Sequence, residues 1–227
     1  MGGMGEERNR TMYHFIEDKE FQGKLYSTCS DIVNQLKQAI NNDDALYVET
    51  YLIGSGARKL ITQNANEPVD LDFNLCILES YDFNINDGKS IKDYVMEVFD
   101  DVLENNGWRN CKDSTSVITT EQRYFTKGND TAFSIDLGIL KYENGRYYRL
   151  IHNKTGIVNW DQYYWNEVPH SNGLTERADI IKENDLWEEV RQAYLNKKNM
   201  YLSRQDRNHP SFIVYVEAVN EIYYKYF

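Results

Sequence analysis

Cysteine is scarce in this sequence: Cys29, Cys76 and Cys111 are the only three, far apart and with no C-x-x-C spacing. That excludes a disulfide framework and a zinc knuckle, fits a reducing compartment, and leaves the three thiols as expected core side chains. Long apolar runs are missing as well. No stretch approaches the ~20 residues of a membrane-spanning helix, and MGGMGEERNR has no apolar segment of the signal-peptide kind. Its Met-Gly-Gly opening is like a myristoylation signal, but Glu6 stands where Ser or Thr is needed. The chain is therefore expected to be soluble and cytoplasmic, with no membrane partner. The Asn-x-Ser/Thr matches at Asn9, Asn129 and Asn153 would need a secretory route that nothing else supports.

Basic charge is in deficit. Asp and Glu number 36 against 25 Lys and Arg, a formal net charge of −11, and a field of that sign repels a nucleic-acid backbone. A long nucleic-acid partner is disfavoured, while a local basic pocket for one nucleotide stays open. Proline is rare too. With three prolines and 41% hydrophobic residues, the chain reads as a folded protein, disordered at most at its extreme N-terminus.

Several chemistries lack their motif. The four histidines, His14, His152, His170 and His209, show no H-E-x-x-H spacing and read as ordinary side chains. GSGAR is not the G-x-S-x-G elbow of a serine hydrolase. No Walker lysine follows the glycine turn, and no G-x-G-x-x-G fingerprint is present.

Periodicity supplies the elements that are there. Met12, Phe15 and Ile16 suggest a short helix, and the spacing of Leu25, Cys29, Ile32, Val33, Leu36 and Ile40 predicts a longer one. LYVETYLIG (46–54) alternates as a strand into Gly54-Ser55-Gly56, with ARKLIT a short helix beyond it. Residues 86–107 form the best-marked helix, with Ser90 and Asp93 as a cap and Asn-Asn-Gly as its stop. Strands are expected over 116–125 and 131–140, with a hairpin return through Glu143-Asn144-Gly145. Past residue 160 the pattern turns helical, with segments over 175–182, 184–202 and 211–226. The expected organisation is a mixed α+β lobe over 1–160 and a C-terminal helical lobe over 161–227, without internal repeats.

The chemistry concentrates in two strands. In VDLDFNLCIL (69–78), Leu71, Phe73, Leu75 and Ile77 share one face while Asp70, Asp72 and Asn74 share the other. Strands disfavour Asp, so two on one face ask for a reason. TAFSIDLGIL (131–140) repeats the pattern, with Phe133, Ile135, Leu137 and Ile139 opposite Ser134, Asp136 and Gly138. If the strands are neighbours, three carboxylates converge. Two like charges ~4 Å apart repel by about 4 kcal/mol at an effective dielectric near 20, and protonation or a cation must relieve this. Hard carboxylate oxygens suit Mg²⁺ or Mn²⁺ shared with phosphate oxygens. The Gly-Ser-Gly turn adds backbone that can approach a phosphate closely.

Gly54-Ser55, then Asp70-Leu71-Asp72, then Asp136 between Ile135 and Leu137 together resemble the polymerase-β-like nucleotidyltransferase superfamily. The likeness covers residues 46–140, with a longer Ser55-to-Asp70 connection than usual and Val69 where a Ser often precedes the acids. It implies an α+β fold: a mixed β-sheet nucleotidyltransferase palm, flanking helices and a C-terminal helical lobe. It also implies transfer of a nucleoside monophosphate from an NTP, with ATP expected, to an acceptor hydroxyl with release of pyrophosphate. Two Mg²⁺ or Mn²⁺ ions would be held by Asp70, Asp72 and Asp136, and the triphosphate by Gly54, Ser55 and Gly56. Arg58 and Lys59 lie beyond the turn and are candidates to neutralise phosphate charge. The acceptor is left open among a protein, a small molecule and a nucleotide. The rival reading is a nucleotide-binding or protein-interaction module on the same fold without turnover. Trp160, Tyr163, Tyr164 and Trp165 could stack a base, although packing explains such a cluster at least as well.

Overall fold

The computed structural model describes residues 12–157, 160–169, 173–206 and 208–227. Asn9, the Met-Gly-Gly start and His170 lie outside them. The chain divides into two units, one of residues 17–61 and 68–170, the other of residues 1–16, 62–67 and 171–227.

The first unit is built on a seven-stranded mixed sheet. Its strands are β2 (Leu46–Leu52), β4 (Val69–Ser80), β5 (Lys112–Asp113), β6 (Ile118–Thr119), β7 (Phe133–Glu143), β8 (Arg146–Asn153) and β9 (Gln162–Glu167). They run in the order β2-β4-β7-β6-β5, with β8 pairing β7 and β9 continuing from β8. β4 and β7 are parallel, and the other pairs are antiparallel. The alternation read in the sequence is realised: Leu71, Phe73 and Leu75 of β4 and Ile135, Leu137 and Ile139 of β7 are buried. Helix α1 (Lys19–Asn42) buries Phe21, Leu25, Cys29, Ile32, Val33, Leu36 and Ile40, one stripe at three-and-four spacing. It packs on β2, β4 and helix α3 (Gly88–Asn105). Core side chains of this kind each contribute about 1.5–3 kcal/mol by leaving water. All three cysteines are free and buried.

Local readings in this unit needed correction in four places. The cap of α3 is Asp87, whose carboxylate accepts from Ser90 N at 3.1 Å and Ser90 Oγ at 2.7 Å, not a Ser90–Asp93 pair. The short helix after β2 is α2 (Gly54–Ala57), the glycine turn itself, rather than ARKLIT. The strand expected over 116–125 shrinks to β6, with Arg123 making an isolated bridge to Phe133. Residues 162–167, read as lying past the point where the pattern turns helical, are strand β9. Their aromatic side chains suit an extended backbone paired to β8.

The second unit gathers helices α4 (Leu174–Glu183), α5 (Trp187–Ser203) and α6 (Ser211–Tyr226), close to the expected helical segments. It also holds strands β1 (Tyr13–Phe15) and β3 (Thr62–Asn64), paired antiparallel. The expected helix at Met12 to Ile16 is therefore a strand, tied to α5 where Tyr13 N donates to Asn199 Oδ1 at 2.7 Å and Asn199 Nδ2 donates to Tyr13 O at 3.0 Å. In this unit Lys198 donates to Thr62 Oγ1 at 2.9 Å and to Ser211 Oγ at 3.4 Å, and lies over the Tyr13 ring at 3.9 Å. Burial pushes its ammonium down to about 8. No described helix is long and apolar enough to cross a membrane.

Candidate functional site

The parallel pairing of β4 with β7 decides how the acids meet. Its register sets Asp70 beside Ser134 and Asp72 beside Asp136, and lateral neighbours in a sheet stand about 4.8 Å apart on the same face. Each neighbour answers a carboxylate. Ser134 Oγ donates to Asp70 Oδ1 in a short hydrogen bond, and Thr119 Oγ1 of β6 donates to Asp136 Oδ1 at 2.7 Å. Asp72 is pushed up to about 6, first by burial and then by the charges of Asp136 and Asp70, with Arg149 and Arg58 opposing. Asp136 is raised by burial and Asp70 and lowered by its bond from Thr119. The crowding of negative charge inferred from alternation is thus present.

The glycine turn is fitted to this face. Gly54 has φ +66°, and a Cβ there would fall 2.0 Å from Asp72 Oδ2, so only glycine suits both the backbone and the space. Ile53 N donates to Asp72 O at 2.8 Å and locks the turn to β4. Gly56 is equally confined, since a Cβ on it would meet Leu71 Cδ2 at 2.8 Å, and Tyr26 Oη of α1 donates to its carbonyl at 2.8 Å. Ser55 is half-buried between the two glycines. Arg58 is half-buried, close enough for its charge to bear on Asp72. Lys59 is exposed at the turn's end, in left-handed backbone at φ +57°.

A divalent cation fits the chemistry of the donor set: three hard carboxylates on one face, one of which is pushed towards its protonated form by burial and then by the charges of the other two. Among the described residues no group of three or more His, Cys, Asp or Glu stands arranged to hold an ion. Asp70 and Asp136 each accept one hydroxyl hydrogen bond at Oδ1, from Ser134 and Thr119.

Other expected and unexpected groups fall elsewhere. Tyr163 stacks on His152 at 4.1 Å and Trp165 Nε1 donates to Ile85 O at 2.8 Å, which is packing, while Trp160 is exposed. His152 itself is buried between two carboxylates, with Nδ1 on Asp113 in a short contact and Nε2 3.1 Å from Asp161. Buried Lys92 of α3 pairs with the same Asp113. Arg149 of β8 escaped the sequence reading. It pairs with Leu140 across β7 and β8, and its guanidinium lies back over Gly138, with Nη2 donating to Asn74 Oδ1 at 3.3 Å. Alternation within RYYRLIHN offers no hint of this, because only the register reveals which face of β7 the arginine shares.

No protein-family model and no curated protein matches the sequence. Solved structures do match. E. coli MS115-1 CdnC with ATP is 15% identical with a TM-score of 0.57, covering 89% of this chain and 61% of its own. Vibrio cholerae DncV cyclic AMP-GMP synthase with nonhydrolyzable GTP is 12% identical with a TM-score of 0.55, covering 91% of this chain and 67% of its own. The Bradyrhizobium diazoefficiens CD-NTase CdnG with GTP is 11% identical with a TM-score of 0.50, covering 88% and 65%. The chain thus spans 61% of the length of the CdnC structure. It shares the fold of these structures, a mixed β-sheet with flanking helices.

Proposed function

We propose that this chain is a metal-dependent nucleotidyltransferase that moves a nucleoside monophosphate from an NTP, ATP in the first instance, to an acceptor hydroxyl. The observation that carries the reading is the register of β4 on β7, which sets Asp72 beside Asp136 directly below the Gly54 turn. Structures of this fold with ATP or GTP bound support it. Gly54, Ser55 and Gly56 would receive the triphosphate, with Arg58 offsetting its charge and Lys59 at the rim. Asp70, Asp72 and Asp136 would hold Mg²⁺ or Mn²⁺, two ions in all. When bound, such ions acidify a hydroxyl and neutralise charge on a leaving pyrophosphate.

The residues' own part follows from their placement. The acceptor oxygen forms a bond to the α-phosphorus as the bond to the bridging oxygen breaks, and pyrophosphate leaves on the far side. Asp136, held in position by the hydrogen bond from Thr119, would orient the acceptor hydroxyl and take its proton as the new bond forms. Asp72, raised by burial and then by Asp136 and Asp70, would hold a cation in place of its proton. The turn backbone holds the leaving phosphates against β4, where Ile53 is bonded to Asp72.

Incubation with α-labelled ATP, GTP, CTP or UTP and Mg²⁺ or Mn²⁺ tests the reading, with products resolved as protein-bound, small-molecule or oligonucleotide. Label transfer with stoichiometric pyrophosphate, abolished in Asp72→Asn and Asp136→Asn, is the expected result. A nucleotide-induced rise in Tm without pyrophosphate release from any NTP would instead identify a binding module.

A further inference from the structure

The carboxylate face has two flanks. On the β2 side stands the glycine turn, locked to Asp72. On the other side, across β7, stands Arg149. Gly138 and Asn74 follow Asp136 and Asp72 by two residues on the same face, so a guanidinium over Gly138 sits one pleat, about 7 Å, along the sheet from the acids. A side chain at residue 138 would encroach on it, since a Cβ there falls 3.5 Å from Arg149 Nε.

Arg149 is under-used where it is. A guanidinium carries five N–H donors in a planar fork, yet among the described residues its one hydrogen bond is the 3.3 Å contact to Asn74. Its Nε is buried with no partner. The charge of Asp72 bears on this half-buried guanidinium, but its remaining N–H donors keep their hydrogen-bonding capacity. It is also the group best shaped to grip a phosphate or carboxylate through two parallel bonds.

In-line displacement gives that position a meaning. The entering hydroxyl and the departing pyrophosphate lie on opposite sides of the reacting phosphorus, so a triphosphate on the Gly54 flank leaves the β7–β8 flank to the acceptor. Building on the transferase reading above, we propose that Arg149 is the acceptor-specificity residue: it binds an anionic group, a phosphate or carboxylate, on an acceptor whose hydroxyl lies at Asp136. The acceptor is thereby an acidic hydroxyl compound rather than a neutral one.

The test uses pairs in which one member carries an added anionic group: guanosine and guanosine 5′-monophosphate, glycerol and glycerol 3-phosphate, glycerol and glycerate. Each is offered with α-labelled ATP and Mg²⁺ to wild-type protein, Arg149→Gln and Arg149→Lys. Wild type is expected to favour a charged member at least tenfold in kcat/KM, through KM. Arg149→Gln should lose that preference while its kcat on the neutral member persists, and Arg149→Lys should recover part of it. Equal use of both members by wild type, or an undiminished preference in a folded Arg149→Gln, overturns the assignment. If wild type labels nothing, the transferase reading fails, and Arg149 is judged by calorimetry with guanosine 5′-monophosphate, the glycine turn being saturated with a nonhydrolysable ATP analogue. Tighter binding to wild type than to Arg149→Lys and Arg149→Gln sustains the anion site; equal binding overturns it.

Discussion

Gly54 stands against Asp72 so closely that a Cβ on it would fall 2.0 Å from Asp72 Oδ2. Turn and acid strand are therefore one unit, and Gly54→Ala meets both that clash and a positive φ of 66°. Strained backbone alone costs about 1–3 kcal/mol. The variant should lose stability in that range by urea unfolding and lose nucleotide binding, whereas Gly23→Ala, in open space on α1, should do neither.

Asp72 should make the protein less stable as pH rises. Its folded value of about 6 exceeds the ordinary 3.8, for which burial is the largest cause. The folded state then binds the proton more tightly, so stability is highest below 3.8, falls as pH climbs towards 6, and carries the whole penalty above that. At 1.36 kcal/mol per unit the penalty approaches 3 kcal/mol, and solvent screening reduces it to about 1–2 kcal/mol. Asp72→Asn, though inactive, should gain that amount at pH 7 and nothing at pH 4. An equal gain at both pH values in urea titrations would contradict the charge argument.

A divalent cation should reverse the same penalty. In wild type at pH 7, Mg²⁺ or Mn²⁺ at 100 times its Kd should stabilise by about 2.7 kcal/mol, read as a rise in Tm. Asp72→Asn and Asp136→Asn should lose most of it. A cation effect unchanged in both variants would place the ions elsewhere.

Thr119 holds Asp136 by a 2.7 Å hydrogen bond that lowers the carboxylate's proton affinity against the raising effects of burial and Asp70. Thr119→Val should shift the acidic limb of the pH–rate profile to higher pH and lower stability by about 1 kcal/mol. An unmoved limb would show that Asp136 ionisation does not limit the rate.

The pairing of Lys92 with Asp113 and His152 is a separate matter of scaffold. Lys92 is 2% exposed, and its loss would strand Asp113 beside His152 with one cation fewer. Lys92→Met should cost about 3–5 kcal/mol, and addition of Asp113→Asn should recover part of it, as thermal unfolding of the single and double variants would reveal.

What the amino-acid order determined by itself is local and periodic. Alternation in VDLDFNLCIL and FSIDLGIL fixes which side of each strand is apolar, and three-and-four spacing marks α1, α3 and the C-terminal helices. Those patterns were legible because burial of one face is a short-range property of a strand or helix. Short elements were not: β1 and β9, and the bounds of β6, depend on a partner strand supplied from elsewhere in the chain. Tertiary structure alone decided that Asp72 lies beside Asp136 and that Arg149 reaches their face across Gly138. Register between strands some sixty residues apart, and a hairpin's return, are set by packing and backbone pairing, which no local pattern encodes.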